Sequence, residues 1–181
     1  MILSFGDSLS AAYRLQPEEG WVALLQQRLH SQGYEYQIIN ASVSGETSSG
    51  GLERLPHLLA QYHPAVVLLE LGANDGLRGL PLPTVRDNLA RMIGLAKDAG
   101  AQVLLLGIRL PPNYGPRYGN GFAALYSDLA QQQHVPLVPF LLADVALNPT
   151  LMQEDGLHPV AAGEPRVLDT IWPYLLPLLR H

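Results

Sequence analysis

Residues 65–76 read Ala65-Val66-Val67-Leu68-Leu69-Glu70-Leu71-Gly72-Ala73-Asn74-Asp75-Gly76, and the rest of the chain takes its plan from this stretch. Ala65–Leu71 is a continuous apolar run broken only by Glu70. A strand with one wet face alternates apolar and polar residues, so a continuous run predicts a strand covered on both faces, as in parallel sheets flanked by helices. The run ends in Gly, Asn and Asp, the residues of a turn. Glu70 needs a partner in such surroundings, and the sequence does not name it.

The same unit recurs on either side. Met1–Phe5, Tyr36–Asn40, Val103–Ile108 and Leu137–Phe140 read as four further strands. Between them lie helical patterns. Gly20–His30 puts Trp21, Leu24, Leu25 and Leu29 on one face, with Gly33 as a stop. Thr47–Tyr62 carries Leu52, Leu55, Leu58 and Leu59, with Pro56 implying a kink or a late start and Pro64 an end. Pro83–Ala99 has Pro in its first turn and Gly100 just past its end. Gly119–His134 is another helix, and a last one runs from Ala161 with limits blurred by Pro165, Pro173 and Pro177. Strands alternating with helices imply right-handed crossovers and a parallel sheet. The fold expected is α/β: a three-layer α/β/α sandwich with about five parallel strands, in one domain spanning residues 1–181.

Composition narrows the function. Of the 181 residues 48% are hydrophobic and 15% charged, a globular balance, and the net charge is −5. No Lys/Arg run is present, which disfavours nucleic acid and anionic membrane as partners. There are no cysteines, so thiolate metal sites, disulfides and Cys nucleophiles are excluded. No apolar run reaches the length of a membrane span, and no basic n-region with an apolar h-region opens the chain. A cytoplasmic protein, or a mature exported one whose signal was replaced by Met1, fits that beginning.

Ligands of doubly wound sheets bind at the carboxyl ends of the strands. The polar residues of this chain collect there: Gly6-Asp7-Ser8-Leu9-Ser10, then Asn40 to Thr47, then Gly72 to Gly76, then Arg109 to Tyr118, and finally Asp155-Gly156-Leu157-His158-Pro159. Of six histidines, His30, His57, His63 and His134 fall on or at the ends of helical patterns, where solvated or capping roles are the default, and His181 is terminal. His158 lies in a Gly/Pro loop three residues after Asp155. Pro159 keeps it out of helical geometry, so the two side chains can meet across a tight turn. A carboxylate on one ring nitrogen fixes the tautomer and leaves the other free to accept a proton, although an ordinary Asp-initiated turn gives the same letters. Ser8 follows a strand in a Gly-Asp-Ser loop, but Ser42 and Ser44 compete on position, and the G-x-S-x-G elbow is absent. Pattern alone leaves Ser8 and Ser44 unseparated. Gly45 and Gly72 allow close backbone approach to a developing oxyanion and Asn74 offers an uncharged NH₂, yet Asn74-Asp75-Gly76 reads equally as a turn.

Taken together, these blocks resemble the SGNH (GDSL) hydrolases over essentially the whole chain. The Gly6–Ser10 block, the Gly45 block, Gly72–Asp75 and Asp155–Pro159 occur in the family's order. Asn40–Ser48, Leu71–Gly79 and Arg109–Tyr118 are similar to the bacterial multifunctional thioesterase I, lysophospholipase and arylesterase subgroup; Ala73 and Glu46 are small departures that remove no catalytic group. The resemblance implies a flavodoxin-like SGNH fold and hydrolysis of carboxylic esters and thioesters. It implies Ser8 as nucleophile, His158 as general base, Asp155 as its orienting acid, and an oxyanion hole from the Ser8 and Gly45 N–H groups with the Asn74 side chain. It also implies a small acyl ester or thioester as substrate, no cofactor, no metal, no stable membrane insertion and a periplasmic location; a monomer is the default expectation. Leu77, Leu80, Leu82, Leu110, Pro111, Pro112, Tyr114 and Tyr118 are candidates to line an acyl groove, with plain loop packing as the alternative, and Leu77, Leu110, Pro111 and Tyr114 lead that set. A carbohydrate O-acetylesterase on the same scaffold is the main rival. A phosphate- or nucleotide-binding module is disfavoured, since Gly45 and Gly50 have P-loop spacing but Gly51 stands where lysine is required.

Overall fold

Strands β1 (Ile2–Gly6), β2 (Ile38–Asn40), β3 (Val66–Glu70), β4 (Gln102–Leu106) and β5 (Leu137–Val138) form one parallel sheet in the order β2-β1-β3-β4-β5. The computed structural model describes residues 1–180, so His181 lies outside the described residues. Six α-helices accompany the sheet: α1 (Trp21–Ser31), α2 (Ser48–Tyr62), α3 (Ala73–Leu77), α4 (Leu82–Asp98), α5 (Pro116–Gln133) and α6 (Glu164–Leu175). None is long and apolar enough to cross a membrane.

The continuous apolar strands serve two cores at once. Because successive side chains leave a strand on opposite faces, Leu3, Phe5, Val67, Leu69, Val103 and Leu105 pack with α2, α4 and α5. Ile2, Val66, Leu68, Leu104, Leu106 and Val138 pack with α1 and α6 on the other side. The result is an α/β/α sandwich. The chain steps outward from β1 to β2, then returns to place β3 on the other side of β1. That reversal opens a crevice at the carboxyl ends of β1 and β3, where such folds bind ligands.

Differences from the sequence reading are local. Asn74-Asp75-Gly76 lies inside the short helix α3 rather than in a plain turn. Helix α5 begins at Pro116, three residues before the expected Gly119, because Pro116 suits the first helical turn. Pro56 sits within α2 without ending it, as Pro173 does within α6. β2 and β5 are shorter than expected. Both are edge strands, and β5 pairs with β4 only through Leu137 and Val138.

Two buried contacts tie the α1/α6 layer to the loop after β1. The N-cap of α1 is Gly20, which has no side chain to offer, so the Glu164 carboxylate accepts the Trp21 amide N–H at 2.8 Å instead. The indole Nε1–H of Trp21 donates to the Leu9 carbonyl at 3.1 Å, fixing the loop that carries Ser8. Burial raises the Glu164 carboxyl from 4.5 to about 7, against the smaller opposing effect of the Trp21 N–H. A carboxyl with a higher pKa folded than unfolded binds more protons folded, so its contribution to stability falls as pH rises from near 4.5 to near 7. Glu164→Gln should remove that slope. Chemical denaturation at pH 5 and pH 8 should show the wild type losing up to about 3 kcal/mol more than the variant between the two. Equal losses in both proteins would contradict this.

Candidate active site

Ser8 lies just beyond β1, in a turn that leaves it half-buried at the crevice. Its neighbour Asp7 is fully buried and folds its carboxylate back onto the Leu9 N–H at 3.0 Å. The turn is tight because Gly6 pairs in register with Glu70. A Cβ on Gly6 would stand 2.7 Å from Glu70 Oε1 and 2.8 Å from the Glu70 carbonyl oxygen, so only glycine fits. Glu70, the residue left without a partner in the sequence, accepts the Ser10 hydroxyl at 2.7 Å and the Asp7 amide N–H at 3.3 Å. Its Oε2 makes no hydrogen bond. Burial and then the adjacent Asp7 push the Glu70 carboxyl well above its ordinary value. Burial pushes Asp7 up less far, with the Leu9 N–H and Glu70 pulling back. The proton of this carboxyl pair therefore resides on Glu70, and Asp7 carries the charge.

The Asp155–Pro159 turn delivers the histidine. Asp155 Oδ1 accepts the N–H groups of Leu157 and His158 at 2.9 and 3.2 Å, and its Oδ2 accepts the His158 Nδ1–H at 2.6 Å. Burial pushes the Asp155 carboxyl up, but the Leu157 N–H and the His158 ring and amide outweigh it and hold it below its ordinary value. A carboxylate can only accept, so Nδ1 carries the proton and Nε2 is free to accept one. The Ser8 hydroxyl stands 2.8 Å from Nε2. Tyr13 lies against the imidazole with ring centroids 4.3 Å apart, flanked by two non-glycine residues in left-handed backbone, Ala12 and Arg14. Gln153 Nε2 bridges the Tyr13 and Pro159 carbonyls and so joins the two loops. Ser44, the rival to Ser8 in the sequence, is exposed and makes no contact with His158, and Ser42 Oγ is buried without a partner.

Asn74 is the second residue of α3, just past the end of β3. Its Nδ2 donates to Asp7 Oδ2 at 3.3 Å and to the Glu46 carbonyl at 3.0 Å, which turns the amide toward the crevice. Gly45 is exposed in the loop before α2 with φ +82°, a conformation glycine adopts without strain. Among the described residues the backbone N–H groups of Ser8 and Gly45 have no acceptor. The polar supports around these groups were missed in the sequence. Asp75, read there as turn chemistry, is buried in α3 and ties down the first turn of α2, accepting Ser48 N–H at 2.8 Å and Ser48 Oγ–H at 2.6 Å. Asn88 of α4 completes this knot by donating to Ser48 Oγ at 3.0 Å. Asp75→Ala would strand both Ser48 donors in the interior. It should cost roughly 2–4 kcal/mol by urea denaturation, since each buried unsatisfied group costs about 1–3 kcal/mol. An unchanged midpoint would show that water replaces the carboxylate.

A cavity of about 670 Å³ leads away from Ser8, Asn74 and His158 across the ends of β4 and β5 to α6. Of the groove candidates from the sequence, Leu77, Leu110, Pro111 and Pro112 lie on its wall, and Leu80, Leu82, Tyr114 and Tyr118 do not. The Tyr114 hydroxyl donates to the Leu77 carbonyl at 3.0 Å and that of Tyr118 to the Leu80 carbonyl at 2.6 Å, so both tyrosines brace the loop after α3. The lining missed by the sequence reading comes from later in the chain: Phe140, Leu142, Ala146, Leu147, Met152 and Tyr174. Arg109 also lines the cavity, exposed and stacked on Phe140 at 5.2 Å from the ring centroid.

The doubly wound sheet carries a Ser/His/Asp constellation at its switch point, the arrangement a serine hydrolase on an α/β scaffold would need. Comparison with known proteins agrees. The GDSL-like lipase/acylhydrolase family model matches residues 4–165. Esterase TesA of Pseudomonas aeruginosa is 54% identical over 98% of this chain and 89% of its own length. The thioesterase 1/protease 1/lysophospholipase L1 of Escherichia coli K12 is 45% identical over 99% of this chain and 85% of its own. A crystal structure of TesA superposes with a TM-score of 0.96 at 54% identity, covering 98% of this chain and 99% of that one. The psychrotrophic esterase EstA from Pseudoalteromonas sp., in a structure inhibited by monoethylphosphonate, gives 0.93 at 44% identity, covering 97% and 96%. The chain belongs to the GDSL-like lipase/acylhydrolase family.

Proposed function

We propose that this chain hydrolyses carboxylic esters and thioesters through an acyl-enzyme on Ser8. The observation that carries the proposal is the run of contacts from Ser8 Oγ to His158 Nε2 (2.8 Å) and from His158 Nδ1 to Asp155 Oδ2 (2.6 Å). Nε2 takes the hydroxyl proton as Oγ attacks the acyl carbonyl, and Asp155 stabilises the imidazolium that forms. The Ser8 and Gly45 N–H groups and Asn74 Nδ2 receive the oxyanion. Of the two bonds Asn74 makes, the 3.3 Å one to Asp7 is the longer, and it is the one a forming oxyanion can share. The tetrahedral intermediate collapses with loss of the alkoxide or thiolate, which takes the proton from Nε2. Water, deprotonated by the same nitrogen, then releases the acid and restores Ser8. The names of the relatives, an esterase, an arylesterase and a thioesterase/lysophospholipase, support the ester and thioester classes.

The groove supports an acyl chain in preference to a sugar. Its walls are mostly Leu, Pro, Ala and aromatic side chains, and a sugar would leave its hydroxyls facing them unpaired. Each methylene buried there contributes about 0.8 kcal/mol, close to fourfold in kcat/KM. Activity on p-nitrophenyl esters should therefore climb with acyl length until the groove is filled. A flat profile, or higher activity on acetylated sugars, would contradict the acyl assignment. The nucleophile is tested separately with a fluorophosphonate probe, which should label the wild type covalently and leave Ser8→Ala unlabelled. Labelling that survives in Ser8→Ala would move the nucleophile elsewhere.

A further inference from the structure

Beyond the groups that face the substrate, we infer that Arg54 is a positioning residue that sets two of the three oxyanion donors; the inference rests on the oxyanion hole proposed above. Arg54 stands on α2, one turn and a half past its start, and its guanidinium reaches back over the loop that precedes the helix. Nε–H donates to Glu46 Oε2 at 2.6 Å and Nη2–H to the Ala41 carbonyl at 3.0 Å. The planar group lies 4.9 Å from the centre of the Phe5 ring, which keeps its fork from swinging away. One side chain thus grips both ends of the 41–46 segment.

Between its ends that segment is lightly held. Val43, Ser44 and Gly45 are exposed, and apart from its chain neighbours no atom lies within 4 Å of where a Cβ on Gly45 would be. The other restraints are hydrogen bonds: Ala41 N–H to the Ser4 carbonyl at 2.9 Å and Asn74 Nδ2 to the Glu46 carbonyl at 3.0 Å at the ends, with Val43 N–H to the Gly6 carbonyl at 3.0 Å, Glu46 N–H to the Val43 carbonyl at 3.1 Å and Ser42 N–H to Asn40 Oδ1 at 3.2 Å between them. Gly45 is also the residue type with the most backbone freedom to lose. The Glu46 carbonyl, at the clamped end, is the acceptor that orients Asn74 Nδ2. Glu46 is mostly buried, with its side chain 11% exposed, so its pairing with Arg54 is screened less than an ordinary surface ion pair. Releasing Arg54 would loosen the Gly45 N–H directly and the Asn74 amide through Glu46. Donors that must reorganise during the reaction stabilise an oxyanion less than fixed ones.

The guanidinium is needed for its shape as well as its charge. Lysine can pair with Glu46 or reach the Ala41 carbonyl, but as a single ammonium it cannot hold both in the fork that arginine presents.

Steady-state kinetics on a short aryl ester and thermal unfolding separate this role from a plain structural one. Arg54→Met, which keeps the packing on Phe5, should lower kcat roughly ten- to hundredfold while KM changes by less than about threefold. Arg54→Lys should fall between Met and wild type. In an Asn74→Ala background, where one of the donors is already gone, Arg54→Met should cost distinctly less than it does alone, as expected of residues acting as a unit. A kcat within twofold of wild type for Arg54→Met, or the same fold-loss with and without Asn74, overturns the inference. Should Arg54→Met fail to fold, Glu46→Gln and Glu46→Ala carry the test. Gln keeps an acceptor for Nε–H and should lose clearly less kcat than Ala, and equal losses overturn the inference. An unchanged kcat in Asn74→Ala defeats the oxyanion-hole reading itself and this inference with it, an outcome distinct from an effect at Asn74 and none at Arg54.

Discussion

The parallel pairing of β1 with β3 sets Gly6 beside Glu70 at the carboxyl ends of two central strands, and the chemistry above them depends on how the carboxyl groups so buried are satisfied. Two carboxyls in an interior cannot both carry charge cheaply. Here one keeps its proton and the other does not. The charged one, Asp7, then has a reason to collect donors: the Leu9 N–H closes the turn that carries Ser8, and the Asn74 amide is drawn over from the end of β3. The uncharged one, Glu70, fastens Ser10 and the Asp7 amide from below. A polar bed of this kind is costly where its groups go unpaired, and the hydrogen bonds it does make stiffen it. The single unpaired oxygen, Glu70 Oε2, is consistent with a neutral carboxyl.

This arrangement explains which parts of the protein were legible beforehand. Strands and helices rest on periodicity, a local property, so Ala65–Leu71 was found as β3 and Thr47–Tyr62 as α2 to within a residue or so at most ends. The edges β2 and β5 were overestimated because an apolar run shows where a strand can form and not where its neighbour stops. Asn74-Asp75-Gly76 was misread as a possible turn because its helical state is settled by contacts 27 and 67 residues away, from Asp75 to Ser48 and from Asn74 to Asp7. Intrinsic preference at three such residues is weak against those contacts.

The site was legible to different depths. Asp155 and His158 sit three residues apart, so their meeting could be argued from a turn and Pro159. Ser8 and Ser44 could not be told apart by pattern, since only the fold decides which serine stands 2.8 Å from Nε2. Family resemblance made that choice, and the geometry independently brings Ser8 to the histidine. The support around these groups left no local signature at all. Glu70 drew attention only as an anomaly in an apolar strand, and Arg54 looked like any charged residue on a helix face. The groove shows the same limit: Leu77, Leu110 and Pro111 come from segments expected near the site, whereas Phe140 and Leu147 follow β5, and Tyr174 comes from α6, which packs beside β5.

The two halves of the crevice are consequently built from different physics. Around Ser8 the groups are polar, close and mutually hydrogen-bonded, so a change at one member is felt by the others. Along the groove the contacts are apolar and non-directional, and a lost methyl alters fit by a graded amount. Substitutions near Asp7, Asn74 and Glu46 are therefore constrained by geometry, while Leu110, Leu147 or Tyr174 can change with modest loss. Such a division lets the groove be reshaped without disturbing the polar bed that holds Ser8 and Asn74. Arg109 stands at the border between these regimes, charged at its tip and stacked on Phe140 along its face, and so can present either apolar surface or positive charge to whatever the groove admits.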